Sequence, residues 1–370
     1  MKTVKVGLVG VGDISGIYLK NIHETFREIE LVGVCDLKRE KAERAVEKYP
    51  NLKIYETMQD IFADPEIQVV LNLTRPYEHY AVTKAALLAG KHVYSEKPLA
   101  ATFEEGKELA ELAQSKSLML GGAPDTFLGS GIQTCRRLID DGYIGTPVGC
   151  SAFMIGCGHE SWHPDPEFYY KHGGGPMLDM GPYYLTALVN LLGGVSQVSG
   201  MVKTSFPTRT ITSKPLYGTV VDVEVPTYVS GMMRFENGAI GTIFTTFDVQ
   251  FPREQSRFIE VYGSEGTLFV PDPNEFTGPI RLFRPEDKIV RELPAMFDYR
   301  ENSRALGLAD MANALLTGRP FRANWTQTLH VLEIMTAFEK SSVLGQTLAV
   351  KTEFRRGEPM KRSALHGIVE

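Results

Sequence analysis

Cysteine is scarce and unpaired. Four occur in 370 residues, at 35, 135, 150 and 157, with no CxxC pair, so the chain is not built on a disulfide framework. No apolar run approaches the roughly 18 residues needed to span a bilayer. The apolar start from Val4 is interrupted by Gly7, Gly10, Gly12 and Asp13, unlike a secretory leader. Basic charge is not in excess: the formal net charge of −6 offers no attraction to nucleic acid or to an anionic membrane. Repeats of solenoid period and low-complexity tracts are missing too. What these absences leave is a globular chain whose expected home is a reducing cytoplasm, too long for one ordinary core and suited to two domains.

The first third alternates. Apolar runs at 4–9, 31–36, 69–73, 92–95 and 118–120 are separated by helical stretches at 13–27, 39–48, 77–89 and 103–115. Strands alternating with helices of this length imply βαβ units and a parallel sheet. After Gly121-Gly122 the pattern changes. One more helix is expected over 132–141, and then longer strands dominate. Hairpins are predicted at 227–235/239–248, around Glu236-Asn237-Gly238, and at 258–262/267–270, around Gly263-Ser264-Glu265-Gly266. Two late helices are expected over 304–316 and 326–341. The predicted class is α/β: a doubly wound, parallel nucleotide-binding domain over 1–122 and a substrate and assembly domain over 123–352. A polar tail over 353–370 reads as a surface extension.

Gly10-Val11-Gly12 lies between the first strand and the first helix. Gly10 permits a tight turn, and Gly12 lets the backbone approach a pyrophosphate at the helix amino terminus. Asp13 and Ile14, at the helix start, are expected beside them. The third glycine of the G-x-G-x-x-G pattern falls on Ser15, which is small enough for close helix packing. Asp36 ends the second strand about 20 residues later, where an acid grips a ribose diol; its plainer reading is a cap on the next helix. An acid there repels the extra phosphate of NADP, and Leu37 follows where an arginine would help it. NAD is therefore the expected cofactor, with Lys38 and Arg39 leaving NADP possible.

Glu96-Lys97-Pro98 follows the predicted strand 92–95, and open α/β sheets bind ligands beyond the carboxyl ends of their strands. This tripeptide, Gly10-Val11-Gly12, Thr74-Arg75-Pro76 with His79, Gly90-Lys91-His92-Val93, and the run from Gly173 to Gly181 that contains Asp179 together resemble the Gfo/Idh/MocA oxidoreductases. The resemblance continues at Gly318-Arg319-Pro320 and Ser341-Ser342-Val343-Leu344-Gly345, and so covers nearly the whole chain. It implies a Rossmann domain followed by an α/β domain with an open, largely antiparallel sheet, often used to form homodimers or homotetramers. It implies hydride transfer between NAD(P) and a secondary alcohol or ketone of a sugar, glycoside or cyclitol. It also implies that Lys97 meets the substrate hydroxyl and the nicotinamide ribose, that Glu96 supports that ribose, and that the Lys-Pro peptide is often cis. Thr74, Arg75 and His79 join the expected cofactor contacts, His79 either facing the nicotinamide or merely packing at a helix start.

The family commonly carries D-x-G-x-H, and this chain has Asp179-Met180-Gly181-Pro182-Tyr183. The histidine position is Tyr183, and Thr186 replaces the acid of the following H-x-x-D. A phenol can still take the hydroxyl proton as hydride leaves, with Lys97 nearby to favour its charged form and Asp179 to orient substrate or hold Lys97. Tyr183 and Tyr184 stand together, and one of them is expected to be helix packing. Cys157, His159, His163 and Asp165 have no standard metal spacing, so no metal is expected. Trp162 and His163 are expected in a substrate-pocket loop, with an ordinary packed loop as the alternative, and Asp125 at the domain crossing as a further substrate contact. Two other functions fit the same residues: hydrolysis or elimination of a glycoside through transient oxidation, and a sensor that has lost catalysis along with the motif histidine.

Overall fold

The computed structural model describes residues 2–250, 256–362 and 366–370. Its first sheet comprises β1 (Val4–Val9), β2 (Ile29–Cys35), β3 (Lys53–Ile54), β4 (Val69–Asn72), β5 (His92–Ser95) and β6 (Leu120–Gly122). All are parallel, in the order β3-β2-β1-β4-β5-β6. The connecting helices are α1 (Ser15–Glu24), α2 (Arg39–Lys48), α3 (Met58–Ala63), α4 (His79–Leu88) and α5 (Phe103–Ser115). β4 is buried along its whole length, which is why it reads as a continuous apolar run: strands covered on both faces have no polar side to alternate with. The order reverses between β1 and β4, so the crevice beyond their carboxyl ends is the natural ligand position.

β3 and α3 were not expected from the sequence. β3 is two residues long, too short to show a period. α3 is nucleated by a capping box in which Thr57 and Asp60 each satisfy the other's backbone N–H.

The second half begins with α6 (Ser130–Asp140) and builds a nine-stranded mixed sheet. Its strands are β7 (Pro147–Ile155), β8 (Val195–Lys203), β11 (Tyr228–Phe235), β12 (Ile240–Thr246), β13 (Arg257–Gly263), β14 (Thr267–Val270), β15 (Ile280–Phe283), β16 (Val290–Leu293) and β17 (Leu348–Ala349). β9 (Thr208–Thr210) and β10 (Val220–Asp222) pair separately. Only β7 and β12 run parallel; the remaining neighbours are antiparallel, including both predicted hairpins. α7 (Gly175–Asp179), α8 (Gly181–Leu192), α9 (Leu306–Thr317) and α10 (Trp325–Leu344) complete the fold. α8 is buried at every position, so its polar side chains face protein groups and not bulk water.

The stretch after residue 352 is not the loose surface extension its polarity implied. Phe354, Met360 and Val369 are buried. Val369 N–H donates to Glu28 at 2.6 Å and Arg27 N–H to the Gly367 carbonyl at 3.1 Å. Arg322 donates to the carbonyls of Glu358, Pro359 and Glu370. Main-chain and side-chain partners thus hold parts of its backbone, and Phe354, Met360 and Val369 anchor it. Arg322 also pairs with Asp310, which is wholly buried and meets Arg319 at 2.8 Å. Arg322→Ala is expected to cost about 3 kcal/mol, the scale for breaking a buried pair, read from urea unfolding, with earlier proteolysis of the tail.

Candidate active site

The parallel sheet presents four loops at one edge of the crevice. After β1, Gly10 adopts φ 95°, and a Cβ there would lie 2.8 Å from the Leu73 carbonyl group, so only glycine turns this corner without displacing the chain after β4. At Gly12 a Cβ would meet nothing within 4 Å: the backbone borders open space at the start of α1, with Asp13 exposed beside it and Ile14 at the helix cap. Asp36 closes this loop. Its carboxylate accepts from Val11 N–H at 2.7 Å and from Lys38 N–H at 2.8 Å, which aims it along the glycine turn. An open helix amino terminus, an unobstructed backbone and an acid at the end of β2 fit the pyrophosphate and ribose of a dinucleotide.

After β5 stands a second cluster. The Lys97–Pro98 peptide is cis. Lys97 Nζ donates to Asp179 Oδ1 at 2.8 Å and to the Asp179 carbonyl at 2.6 Å, and lies 5.0 Å from the centroid of the Tyr183 ring. Both partners come from the second half, Asp179 ending α7 and Tyr183 in the first turn of α8. Lys97 and Asp179 are only 15% and 13% exposed, enough to be reached from the crevice. Burial alone would push the lysine down and the carboxyl up; each ion outweighs that for the other, leaving Lys97 raised and Asp179 lowered. An ammonium has three donors. Two are engaged by Asp179, so one remains for a ligand.

Behind Lys97, Glu96 accepts from the Tyr18 phenol at 2.7 Å and from Lys97 N–H at 3.0 Å. In front of Asp179, His159 Nε2 lies 3.4 Å from Oδ2, and its ring stacks on Tyr169 with centroids 3.8 Å apart. The loop carrying His159 leans over the nucleotide edge. His163 approaches Asp13 at 3.8 Å, and Asp165 pairs with Arg75 at 2.6 Å. Trp162 is 63% exposed and flanks both histidine rings, with centroids 5.3 and 5.4 Å away. His159 and His163 thus face different carboxylates and do not converge with the exposed Cys157. Thr74 turns its hydroxyl inward to Asn72 at 2.7 Å.

Two expected ligand contacts lie elsewhere. His79 is 1% exposed, with Nδ1 2.7 Å from the Pro98 carbonyl oxygen and Nε2 3.0 Å from that of Thr74. Burial lowers its pKa, and a neutral ring can donate to only one of these oxygens. It lies between the two loops, with both ring nitrogens facing main-chain carbonyls. Asp125 is 1% exposed and accepts from Gly307 N–H at 3.1 Å, its carboxyl pushed up by burial to about 6. It supports the wall of the site and does not line it. Tyr184 is fully buried, leaving Tyr183 as the tyrosine beside Lys97. Sequence reasoning gave no role beside Asp179 to His159 and none to Arg304, whose Nη2 lies 3.4 Å from the Tyr183 hydroxyl. No local motif marks either residue.

Residues 4–122 match the family described as "Oxidoreductase family, NAD-binding Rossmann fold" (GFO_IDH_MocA), and residues 132–269 match the "GFO/IDH/MocA C-terminal domain". Among curated relatives, D-xylose dehydrogenase of Paenarthrobacter nicotinovorans is 26% identical over 332 residues, 87% of this chain and 82% of that protein. Inositol 2-dehydrogenase of Salmonella paratyphi B is 33% identical over 149 residues, 40% of this chain and 44% of that protein. Against several such relatives the chain matches under half of their length. Among solved structures, levoglucosan dehydrogenase in complex with NADH and levoglucosan superposes with a TM-score of 0.81 at 20% identity, covering 95% of this chain and 100% of that one; at that identity the likeness is one of fold. The two family matches together span more than half of the sequence, and the chain belongs to the Gfo/Idh/MocA oxidoreductases, with the family's NAD-binding Rossmann fold.

Proposed function

We propose that this protein oxidises a secondary hydroxyl of a sugar, glycoside or cyclitol, or reduces the matching ketone, with NAD. The observation that carries the proposal is the Lys97–Asp179–Tyr183 cluster, standing beyond β5 beside the glycine turn. Residues 1–122 would hold the dinucleotide, with Gly10, Gly12, Asp13 and Ile14 at its pyrophosphate, Asp36 at its ribose diol, and Thr74, Arg75 and Glu96 lining the way to Lys97. Residues from 123 onward would hold the substrate, with Trp162 offering an apolar face to a sugar ring and His163 a polar edge.

NAD held there would supply the acceptor for the hydride from the substrate's carbinol carbon. The chain's own residues manage the proton. The remaining N–H of Lys97 donates to the carbinol oxygen and steadies the negative charge that grows there, an effect largest where water is excluded. The Tyr183 phenolate takes the hydroxyl proton, and the substrate is left as a ketone. Asp179 keeps Lys97 charged and pointed, and His159 holds the second carboxylate oxygen of Asp179. The open sheet supplies a surface for self-assembly as a homodimer or homotetramer: Met201, Met232 and Ile240 lie exposed on neighbouring strands.

Lys97→Ala is expected to reduce NADH formation, assayed with NAD against a panel of aldoses, glycosides and inositols, by about 10²–10³-fold. NAD binding, followed by fluorescence quenching, should remain largely intact. Full turnover in that variant would remove the proposal's centre, and aglycone release without net NADH would favour the hydrolytic reading. Asp36→Ala should weaken NAD and narrow the preference over NADP, read as the ratio of dissociation constants. Asp179→Asn removes the main influence that raises Lys97, leaving its burial opposed only by Tyr183 and Glu96. Acylation of Lys97 at pH 8, followed by mass spectrometry, should quicken by about tenfold or more, because one pKa unit is a factor of ten in free amine.

A further inference from the structure

Arg304 is delivered to the site with unusual care for a residue on a connecting turn. The turn precedes α9 and is fixed from three sides. The Asn21 side-chain amide, from α1, donates to the carbonyls of Asn302 and Arg304, each at 2.8 Å. The Asp125 carboxylate accepts from Gly307 N–H. Gly307 itself passes so close to Tyr94 that a Cβ would lie 2.1 Å from the phenol oxygen. Between these clamps Ala305 is held at φ 83°, a left-handed conformation disfavoured for any residue with a Cβ. Strain of this kind, next to a side chain that reaches Tyr183, points to a constrained functional position.

The guanidinium is equally constrained. Nη1 donates to Asn302 Oδ1 and Nη2 to Asn274 Oδ1, both at 2.8 Å, and Nη2 lies 3.4 Å from the Tyr183 hydroxyl. Burial works against the cation, and Tyr183, Asp125 and Glu96 outweigh it. The phenol therefore has a cation on two sides: Arg304 at its oxygen, from the turn before α9, and Lys97 over its ring, from the end of β5. The other ionisable groups around it are Asp179 at the end of α7, already paired with Lys97, and the buried Tyr169, whose pKa is raised first by its burial. Glu96 and Asp125 stand behind the two cations.

We propose that Arg304 is the positioning residue for proton transfer: its guanidinium fixes the Tyr183 hydroxyl and stabilises the phenolate where the family pattern has a histidine. This rests on Tyr183 as the proton acceptor. A histidine base needs no such partner, because its free form is neutral at physiological pH. A phenol must carry negative charge to act, and an opposite charge within reach favours that form. Arg304 cannot itself take the proton, since a guanidinium stays charged.

The test is a titration of phenolate absorbance, taken as the difference between the protein and the same protein carrying Tyr183→Phe, so that only Tyr183 is read. It is made in the wild-type, Arg304→Gln and Arg304→Lys backgrounds, with NADH binding by fluorescence as the check on fold. In Arg304→Gln the Tyr183 midpoint should rise by about one pH unit, a tenfold loss of phenolate below both midpoints. Arg304→Lys should restore most of it. An unchanged midpoint in Arg304→Gln overturns the proposal, and so does a shift that lysine does not restore, which would mark a packing role. The reading beneath it fails separately: if Tyr183→Phe keeps full turnover of D-xylose or another active polyol, the phenol is not the proton acceptor, whatever the titration gives.

Discussion

A buried ion pair between two halves of the chain is the constraint on which the rest of the site depends. Lys97 comes from the parallel sheet and Asp179 from the helix pair of the second half, and neither tolerates burial alone. An uncompensated charge in a protein interior costs several kcal/mol, so the two halves cannot shift apart at this point without exposing that cost. The lysine spends two donors on one residue, on its carboxylate and its carbonyl, which fixes its direction as well as its charge. Such a pair contributes little net stability against an apolar substitute. Its value lies in holding a cation with one free donor at the mouth of the crevice.

Around that pair the remaining groups fall into an order. Glu96 and Tyr18 brace the lysine from behind, and His159 takes the far oxygen of Asp179 while stacking on Tyr169. His79 sits between the turn after β4 and the Lys97–Pro98 segment, with one ring nitrogen facing a carbonyl of each. The loop carrying His163 and Asp165 reaches back to Asp13 and Arg75 on the nucleotide side, so the aromatic wall of the second half and the glycine turn of the first share one border. The geometry sets the Lys97 ammonium beside the Tyr183 ring, next to the loop that meets the glycine turn.

The parts that were legible in the sequence are those written locally. The glycine turn, the acid at the end of β2 and the Glu-Lys-Pro corner each depend on residues close in the chain. β5 and α5 have the bounds their patterns predict. The parts that were not legible depend on distance. Arg304 meets Tyr183 across 121 residues and Tyr18 meets Glu96 across 78, and no pattern of spacing announces such a contact. His79 was visible as a residue but not as a direction: a histidine at a helix start can face a ligand or a carbonyl, and packing decides. The tail misled because its few apolar residues have no period, although Phe354, Met360 and Val369 are buried.

The account stands on one claim, that a carbinol binds between Lys97 and Tyr183. The most direct measurement is a crystal structure of the protein with NAD and a polyol that it turns over. The account predicts the reacting hydroxyl within hydrogen-bond distance, about 3.2 Å or less, of both Lys97 Nζ and the Tyr183 oxygen, with the carbinol carbon facing the nicotinamide. A polyol whose reacting hydroxyl is held by other groups, with Lys97 still directed only at Asp179, would contradict it.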